Sequence, residues 1–271
     1  MTTQKRKVVF DLDGTCLRWQ MYDAWISQAV YHGVLPKIVQ SKALRQRSDY
    51  KSRRRPFGEW VSAQVEAYQG EERLRGVRVS DAEFVAECAV QRNADKVHLF
   101  TELLMQAARD VNIEPIILSG SIEQAVAAFA KTKGVQRWRG TRHPQENGYF
   151  TGGKPDVCSH RKDEIILEMA EAEGWDLPEC TAVGDSFLDG KMGEVVGHFI
   201  AFNPDAELTS LAETKGWPIV AEKKDVVHMY RCKDGAIHRP QLWDMMPLDL
   251  ANAFRRRIDA FRLEHGINLK I

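Results

Sequence analysis

A run of three apolar residues, Val8-Val9-Phe10, is followed at once by Asp11-Leu12-Asp13-Gly14-Thr15. The apolar run reads as a short buried strand. Two carboxylates one residue apart stand where that strand ends. Gly14 permits a sharp turn there and Thr15 adds a hydroxyl. Open α/β sheets collect their ligand sites at the carboxyl ends of strands. Paired carboxylates at such an end suit covalent chemistry or a divalent cation. A strand followed by an acidic turn is common, so this segment gains meaning only from partners elsewhere in the chain.

The later sequence supplies them in a regular grammar. Pro115-Ile116-Ile117-Leu118 predicts a second short strand, with a turn at Ser119-Gly120-Ser121 opening a helix that runs to Lys133. Val135 to Thr141 and Tyr149-Phe150-Thr151 read as strands, and Arg161 to Glu173 as a helix. Thr181-Ala182-Val183 ends at Gly184-Asp185. Phe199 to Phe202 and Ile219-Val220 follow as strands, separated by a helix near Ala206 to Lys215. Strands alternating with helices imply a parallel sheet covered on both faces.

Residues 18 to about 104 break that grammar, because they read as almost entirely helical. Tyr22 to His32 is one expected helix, ended by Gly33, with Pro36 suited to start the next. Phe57, Trp60, Val61, Val65 and Tyr68 recur at helical spacing up to Gly70. Ser80 with Glu83 resembles a capping box, and Asp95 to Asp110 reads as a further helix. The expected organisation is an α/β core over 1–17 and 105–222, a helical cap over 18–104, and a C-terminal piece over 223–271. In that last piece Lys233-Asp234-Gly235 signals a hairpin. Leu250, Phe254, Ile258 and Phe261 form the stripe of a helix packed on the core.

Bulk properties narrow the partners. Lys plus Arg equals Asp plus Glu, 38 each, so no basic surface for nucleic acid or an anionic membrane is implied. No apolar run approaches the ~20 residues of a membrane span. The polar start, Met1 to Lys7, lacks the apolar region of a signal peptide. The five cysteines are scattered without a CxxC, which fits a reduced, cytoplasmic protein. The histidines show no metal-ligand spacing.

Four segments then fall at strand ends or helix starts: Asp11 with Asp13, Ser119 with the backbone N–H of Gly120, Lys162, and Asp185 with Asp189. In a parallel sheet these ends share one edge. Phosphoryl transfer through a carboxylate needs such a set. A divalent cation held by carboxylates offsets the repulsion between an anionic attacker and a phosphate ester. Mg²⁺ keeps several waters, so few carboxylates suffice. A serine hydroxyl, a lysine and helix N-terminal N–H groups can hold the phosphate oxygens.

In this order, the motifs resemble those of the haloacid dehalogenase superfamily of phosphohydrolases, in particular the branch containing phosphoserine phosphatase. Asp11 to Thr15 carries the first motif, Ile116 to Ser121 the second, Lys162 the third, and Gly184 to Asp189 the fourth. Asn147 to Gly152 and Ile200 to Pro204 are also similar to that branch. The resemblance implies a Rossmann-like three-layer α/β/α core with an inserted helical cap. It implies Asp11 as nucleophile and Asp13 as general acid/base. Thr15, Ser119, Gly120 and Gln20 would lie around the substrate and its phosphate, and Lys162, for which Lys154 competes, would bind phosphate and stabilise the transition state. Mg²⁺ would be held by Asp11, the Asp13 carbonyl and Asp185, with Asp189 in support. The second aspartate argues against carbon–halogen cleavage.

Gln20 stands where phosphoserine phosphatases place a glutamate for the substrate's amino group, and a neutral amide cannot pair an ammonium as a carboxylate does. Gln64 is the nearest counterpart of a cap arginine that meets the serine carboxylate. Leu188 stands where Asn or Ser is usual. The expected activity is therefore Mg²⁺-dependent hydrolysis of a small phosphomonoester other than phosphoserine. Two other readings share the motifs: a phosphotransferase using the same aspartyl-phosphate, and a non-catalytic phosphometabolite-binding regulator. Arg53-Arg54-Arg55 could supply anion contacts in the cap, and Trp19 and Trp60 an apolar wall. Cys16 reads as packing.

Overall fold

The computed structural model describes residues 5–52, 54, 59, 73–224, 226–267 and 270. Its strands are β1 (Lys7–Phe10), β2 (Glu114–Ile122), β3 (Arg137–Thr141), β4 (Gln145–Glu146), β5 (Tyr149–Phe150), β6 (Thr181–Gly184), β7 (His198–Phe202), β8 (Ile219–Lys223), β9 (Val226–Lys233) and β10 (Ala236–His238). β4 and β5 form a separate hairpin. The others make one sheet in the order β10-β9-β8-β7-β6-β1-β2-β3. Neighbours from β3 to β8 pair in parallel, whereas β9 and β10 add antiparallel.

Side chains leave successive strand residues on opposite faces, and the buried residues divide accordingly. Val8, Phe10, Ile117, Val183, Ile200 and Phe202 belong to one apolar cluster. Val9, Ile116, Leu118, Ala182, Phe199 and Ala201 belong to the other. Both faces are covered, so the short apolar runs of the sequence are continuous rather than alternating. The covering helices complete a three-layer α/β/α arrangement, as expected for a Rossmann-like core.

The helices are α1 (Met21–Tyr31), α2 (Lys37–Lys51), α3 (Val79–Gln91), α4 (Leu99–Asp110), α5 (Glu123–Thr132), α6 (Lys162–Glu173), α7 (Ala206–Lys215) and α8 (Leu248–His265), with a single helical turn at Gly190–Gly193. α1 packs on α2 and α3, and α3 packs in turn on α5 of the core. Cap residues such as Trp25, Ala86 and Val90 share one apolar cluster with core residues such as Leu104 and Phe129. The described helices of this segment are thus packed onto the sheet-bearing part of the fold. The helix expected over Phe57 to Tyr68, with Trp60 and Gln64, lies outside the described residues, as do Arg53 and Arg55. Arg54 is exposed and bonds Ser52 Oγ at 2.9 Å.

Two sequence expectations are corrected. The boundary at 104/105 falls inside α4, which packs as one piece against β2 and α8. Its apolar face, with Phe100, Leu103, Leu104 and Ala107, is buried on the core, so the core resumes near residue 98. The turn at 119–121 is absent: β2 runs irregularly to Ile122, which pairs with Thr141, and α5 starts only at Glu123. Ser119, Ser121 and Thr141 stabilise that extended end through side-chain hydrogen bonds, including Thr141 Oγ1 to the Gly120 carbonyl at 2.7 Å. Gly120 therefore lies in the irregular last part of β2 and does not open a helix.

The C-terminal hairpin extends the sheet through β9 and β10, and α8 lies on α4. Arg6 grips Asp249 of α8 through two bonds of 2.8 and 2.6 Å, and Arg257 of α8 does the same to Asp110 at 2.6 and 2.5 Å.

Candidate active site

β1, β2 and β6 are adjacent and parallel, so their carboxyl ends meet. Asp11 leaves β1, Ser119 to Ser121 form the end of β2, and Asp185 follows β6 directly. Lys162 opens α6 and is 2% exposed. Its Nζ lies 2.5 Å from Asp11 Oδ1 and 2.5 Å from Asp189 Oδ1. Lys154, the competing lysine, is exposed.

Asp11, Asp185 and Asp189 are buried and each offers an oxygen within 4.8 Å of the others. Asp189 Oδ2 accepts the backbone N–H groups of Asp185 and Ser186 and the Ser186 hydroxyl at 2.7 Å, so the loop wraps its own carboxylate. Ser186 thus supplies the loop's hydroxyl, while Leu188 is half-buried. Thr15 Oγ1 donates to Asp185 Oδ1 at 3.3 Å. Gly14 has φ +87°, and a Cβ there would come within 2.0 Å of Asp185 Oδ2. Glycine is required by both backbone and space.

Asp13 is treated differently. Its Oδ1 accepts the Met21 N–H at the start of α1, and its Oδ2 accepts the hydroxyls of Ser119 and Ser121, each at 2.8 Å. Its side chain is not one of the three clustered carboxylates. Ser121 is a site residue that the sequence reading did not single out. The signal was present, because residues two apart on a strand share a face. It was hidden by the assumption of a turn. Gln20 is half-buried and precedes α1 without capping it through its side chain. Trp19, also half-buried, carries the Arg47 guanidinium 3.8 Å from its ring centroid.

The electrostatics are out of balance. Three buried carboxylates face one ammonium, leaving a local charge of about −2 when all are ionised. Burial pushes the Asp11 carboxyl up to about 8; Asp189 and Asp13 add to the rise and Lys162 opposes it. Asp185 is raised well above the usual range by burial, then by Asp11 and Asp189. Asp13 is also raised by burial, although Met21, Ser121 and Ser119 pull it down. Burial lowers Lys162, but Asp11 and Asp189 outweigh it and drive it upward. Oxygen ligands with excess negative charge are the donor set of a hard dication such as Mg²⁺, so Asp11, Asp185 and Asp189 fit one.

A sheet with these motif residues at its carboxyl edge defines a class, and comparison with known proteins gives it a name. The family model of haloacid dehalogenase-like hydrolases matches residues 8–194, and the chain belongs to that family. Its sequence and structural neighbours include phosphoserine phosphatases. A phosphoserine phosphatase of Mycobacterium tuberculosis is 34% identical over 128 residues, covering 46% of this chain and 42% of that protein. The chain spans about two fifths of the length of the mycobacterial relatives it matches. A histidinol-phosphatase of Neisseria meningitidis is 24% identical over 228 residues, covering 80% of this chain and 98% of that protein. Among solved structures, an aspartyl-phosphate intermediate analogue of phosphoserine phosphatase shares the fold at a TM-score of 0.56 and 20% identity, covering 82% of this chain and 95% of its own. No helix among the described residues is long and apolar enough to cross a membrane.

Proposed function

We propose that the protein is a Mg²⁺-dependent phosphatase that hydrolyses a small phosphomonoester through a phosphoryl group carried on Asp11. The observation that supports this most is the separation of the two aspartates of the first motif. Asp11 is held by Lys162 among the clustered carboxylates, while Asp13 is held apart by a backbone N–H and two hydroxyls. One is suited to attack and the other to move a proton. The upward shift of Asp13 favours its acid form, which can protonate the leaving oxygen and then take a proton from the attacking water.

Asp11, Asp185 and Asp189 would hold Mg²⁺, which supplies positive charge against the phosphate. Lys162 keeps Asp11 oriented and offers a second positive charge to the transferring group. Thr15 orients Asp185, and Ser186 orients Asp189. Ser119 and Gly120 would border the phosphate, and the helices α1 to α3 would belong to a cap beside it. Gln20 is a neutral amide beside the first motif, which disfavours an ammonium at that point. The relatives named above carry two different substrate names, so kinship alone selects neither; we favour a phosphomonoester other than phosphoserine.

The test is a panel of phosphomonoesters with and without Mg²⁺, phosphoserine included. Turnover of at least one ester that requires Mg²⁺ and disappears in Asp11→Asn is the expected result. Equal turnover by that variant would remove the mechanism. Product partitioning to an added alcohol would convert the reading into a phosphotransferase.

A further inference from the structure

Glu222 belongs to none of the four motifs, yet this half-buried residue has a side chain only 7% exposed. It lies on β8, the last parallel strand. Its Oε2 accepts the N–H of Phe100 at 2.8 Å, and its Oε1 accepts that of Leu99 at 3.2 Å. The His98 Nδ1 lies 3.2 Å from the same Oε1. An ionised carboxylate can only accept, so Nδ1 carries the proton. Burial raises the Glu222 carboxyl, but the bonds from His98, Phe100 and Leu99 outweigh it and leave it below its ordinary value. The carboxylate thus satisfies the first N–H groups of α4 from a distant strand.

The start of α4 holds the acidic loop in turn. Thr101 Oγ1 donates to the Thr15 carbonyl at 3.0 Å, and the His98 N–H donates to the Cys16 carbonyl at 3.0 Å. Leu17 and Val97 form an antiparallel bridge, and the Arg18 N–H donates to the Lys96 carbonyl at 2.8 Å. These bonds join the chain entering the cap to the chain leaving it. Glu222 itself is fixed through its N–H, which donates to Asn203 Oδ1 at 2.9 Å. The His98 ring meets Phe202 edge-on, 4.8 Å between centroids.

We propose that Glu222 is a positioning residue for the reaction. By holding the first turn of α4, it fixes the Thr15–Cys16 backbone behind Asp11 and Asp13, and the point where the cap rejoins the core. The proposal rests on the phosphatase reading for its catalytic consequence, though not for the mechanical coupling itself. An amide at 222 has a single acceptor oxygen and would turn an NH2 group toward a backbone N–H or the His98 Nδ1–H. The first turn of α4 would then lose a partner without losing side-chain volume.

The experiment compares Glu222→Gln, Thr101→Val, Thr101→Ser and Ile258→Ala in the full chain. The last removes buried hydrocarbon from α8 and touches none of these hydrogen bonds. Glu222→Gln should lower kcat on an aryl phosphate about tenfold or more, with KM changed less than about twofold. Hydrogen exchange should quicken over residues 12–18 and 96–101 and stay unchanged in β6 and β7. Thr101→Val should give the same pattern and Thr101→Ser should restore the wild type, while Ile258→Ala lowers the melting temperature without changing kcat. Unchanged exchange at 12–18 in Glu222→Gln overturns the proposal, as does Ile258→Ala reproducing both effects. If the wild type turns over no phosphate ester, the phosphatase reading fails. The exchange data then still decide whether Glu222 fixes the loop.

Discussion

The carboxyl edge of the sheet and the seam between α4 and α8 are both buried, but they bury opposite things. At the edge, Asp11, Asp185, Asp189 and Lys162 are removed from water with negative charge in excess. At the seam, Phe100, Leu104, Phe254 and Ile258 pack hydrocarbon on hydrocarbon, with Phe100 edge-on to Phe254 at 4.9 Å. Ion pairs of the seam, such as Arg257 with Asp110, lie outside where water screens them. A buried charge costs several kcal/mol unless it is compensated, so the edge is a place where stability is given up for chemistry. The seam supplies stability and does no chemistry of its own, except through the start of α4.

The contrast is sharpest in Asp11→Asn. Turnover should fall by about three orders of magnitude or more, as for other residues that form a covalent intermediate. Phosphate release assays measure that. Stability of the metal-free protein at pH 8 should not fall, because a destabilising charge is gone. A variant that unfolds would break the comparison.

Ile258→Ala does the reverse. It should cost about 2–5 kcal/mol of stability, the usual range for a buried Ile or Leu cut to Ala, read by denaturant unfolding. Activity per folded molecule should not change.

Metal and pH come next in size. Up to about pH 8 the folded, metal-free protein keeps a proton on Asp11 that the unfolded chain loses near its ordinary 3.8. The folded state therefore binds more protons in that window, and stability without metal falls as pH rises from about 4 to about 8. Mg²⁺ binding must displace the same proton, so its affinity rises across that window. At a hundred times its dissociation constant, Mg²⁺ should add about 2.7 kcal/mol. Thermal melts with and without Mg²⁺ at pH 6 and 8 test both slopes, and Asp11→Asn should make the metal-free one shallower without abolishing it, because Asp185 and Asp13 are also raised by burial.

The smallest effect is expected for Arg257→Ala at the rim of the seam. Loss of that exposed pair should cost no more than about 1 kcal/mol and leave kcat untouched. A larger loss would show that the rim, and not the apolar seam, holds α8 in place.

Much of this was legible from residue order. Val8-Val9-Phe10 and Ile116-Ile117-Leu118 are continuous apolar runs, and such runs become strands buried on both faces. Asp11, Asp185 and Lys162 sit at element ends, and a parallel sheet gathers those ends whatever the loops do. The extent of β2 was not legible. Ser119-Gly120-Ser121 has turn composition, and the Asp13 carboxylate, the β3 strand and Thr141 help keep it extended. The end of the cap was missed because the apolar stripe of α4 tells that it is buried, not on which body.

The sequence by itself determined the α/β class and which acidic and basic residues stand at element ends, since these depend on local periodicity and on residue order. Tertiary structure decided which carboxylate Lys162 meets across 151 positions, that Asp13 is held by two serines, and that Glu222 reaches the first turn of α4 from 122 positions away. Pairings of that kind are selected by three-dimensional packing and by the need to satisfy buried polar groups, and no local pattern encodes them.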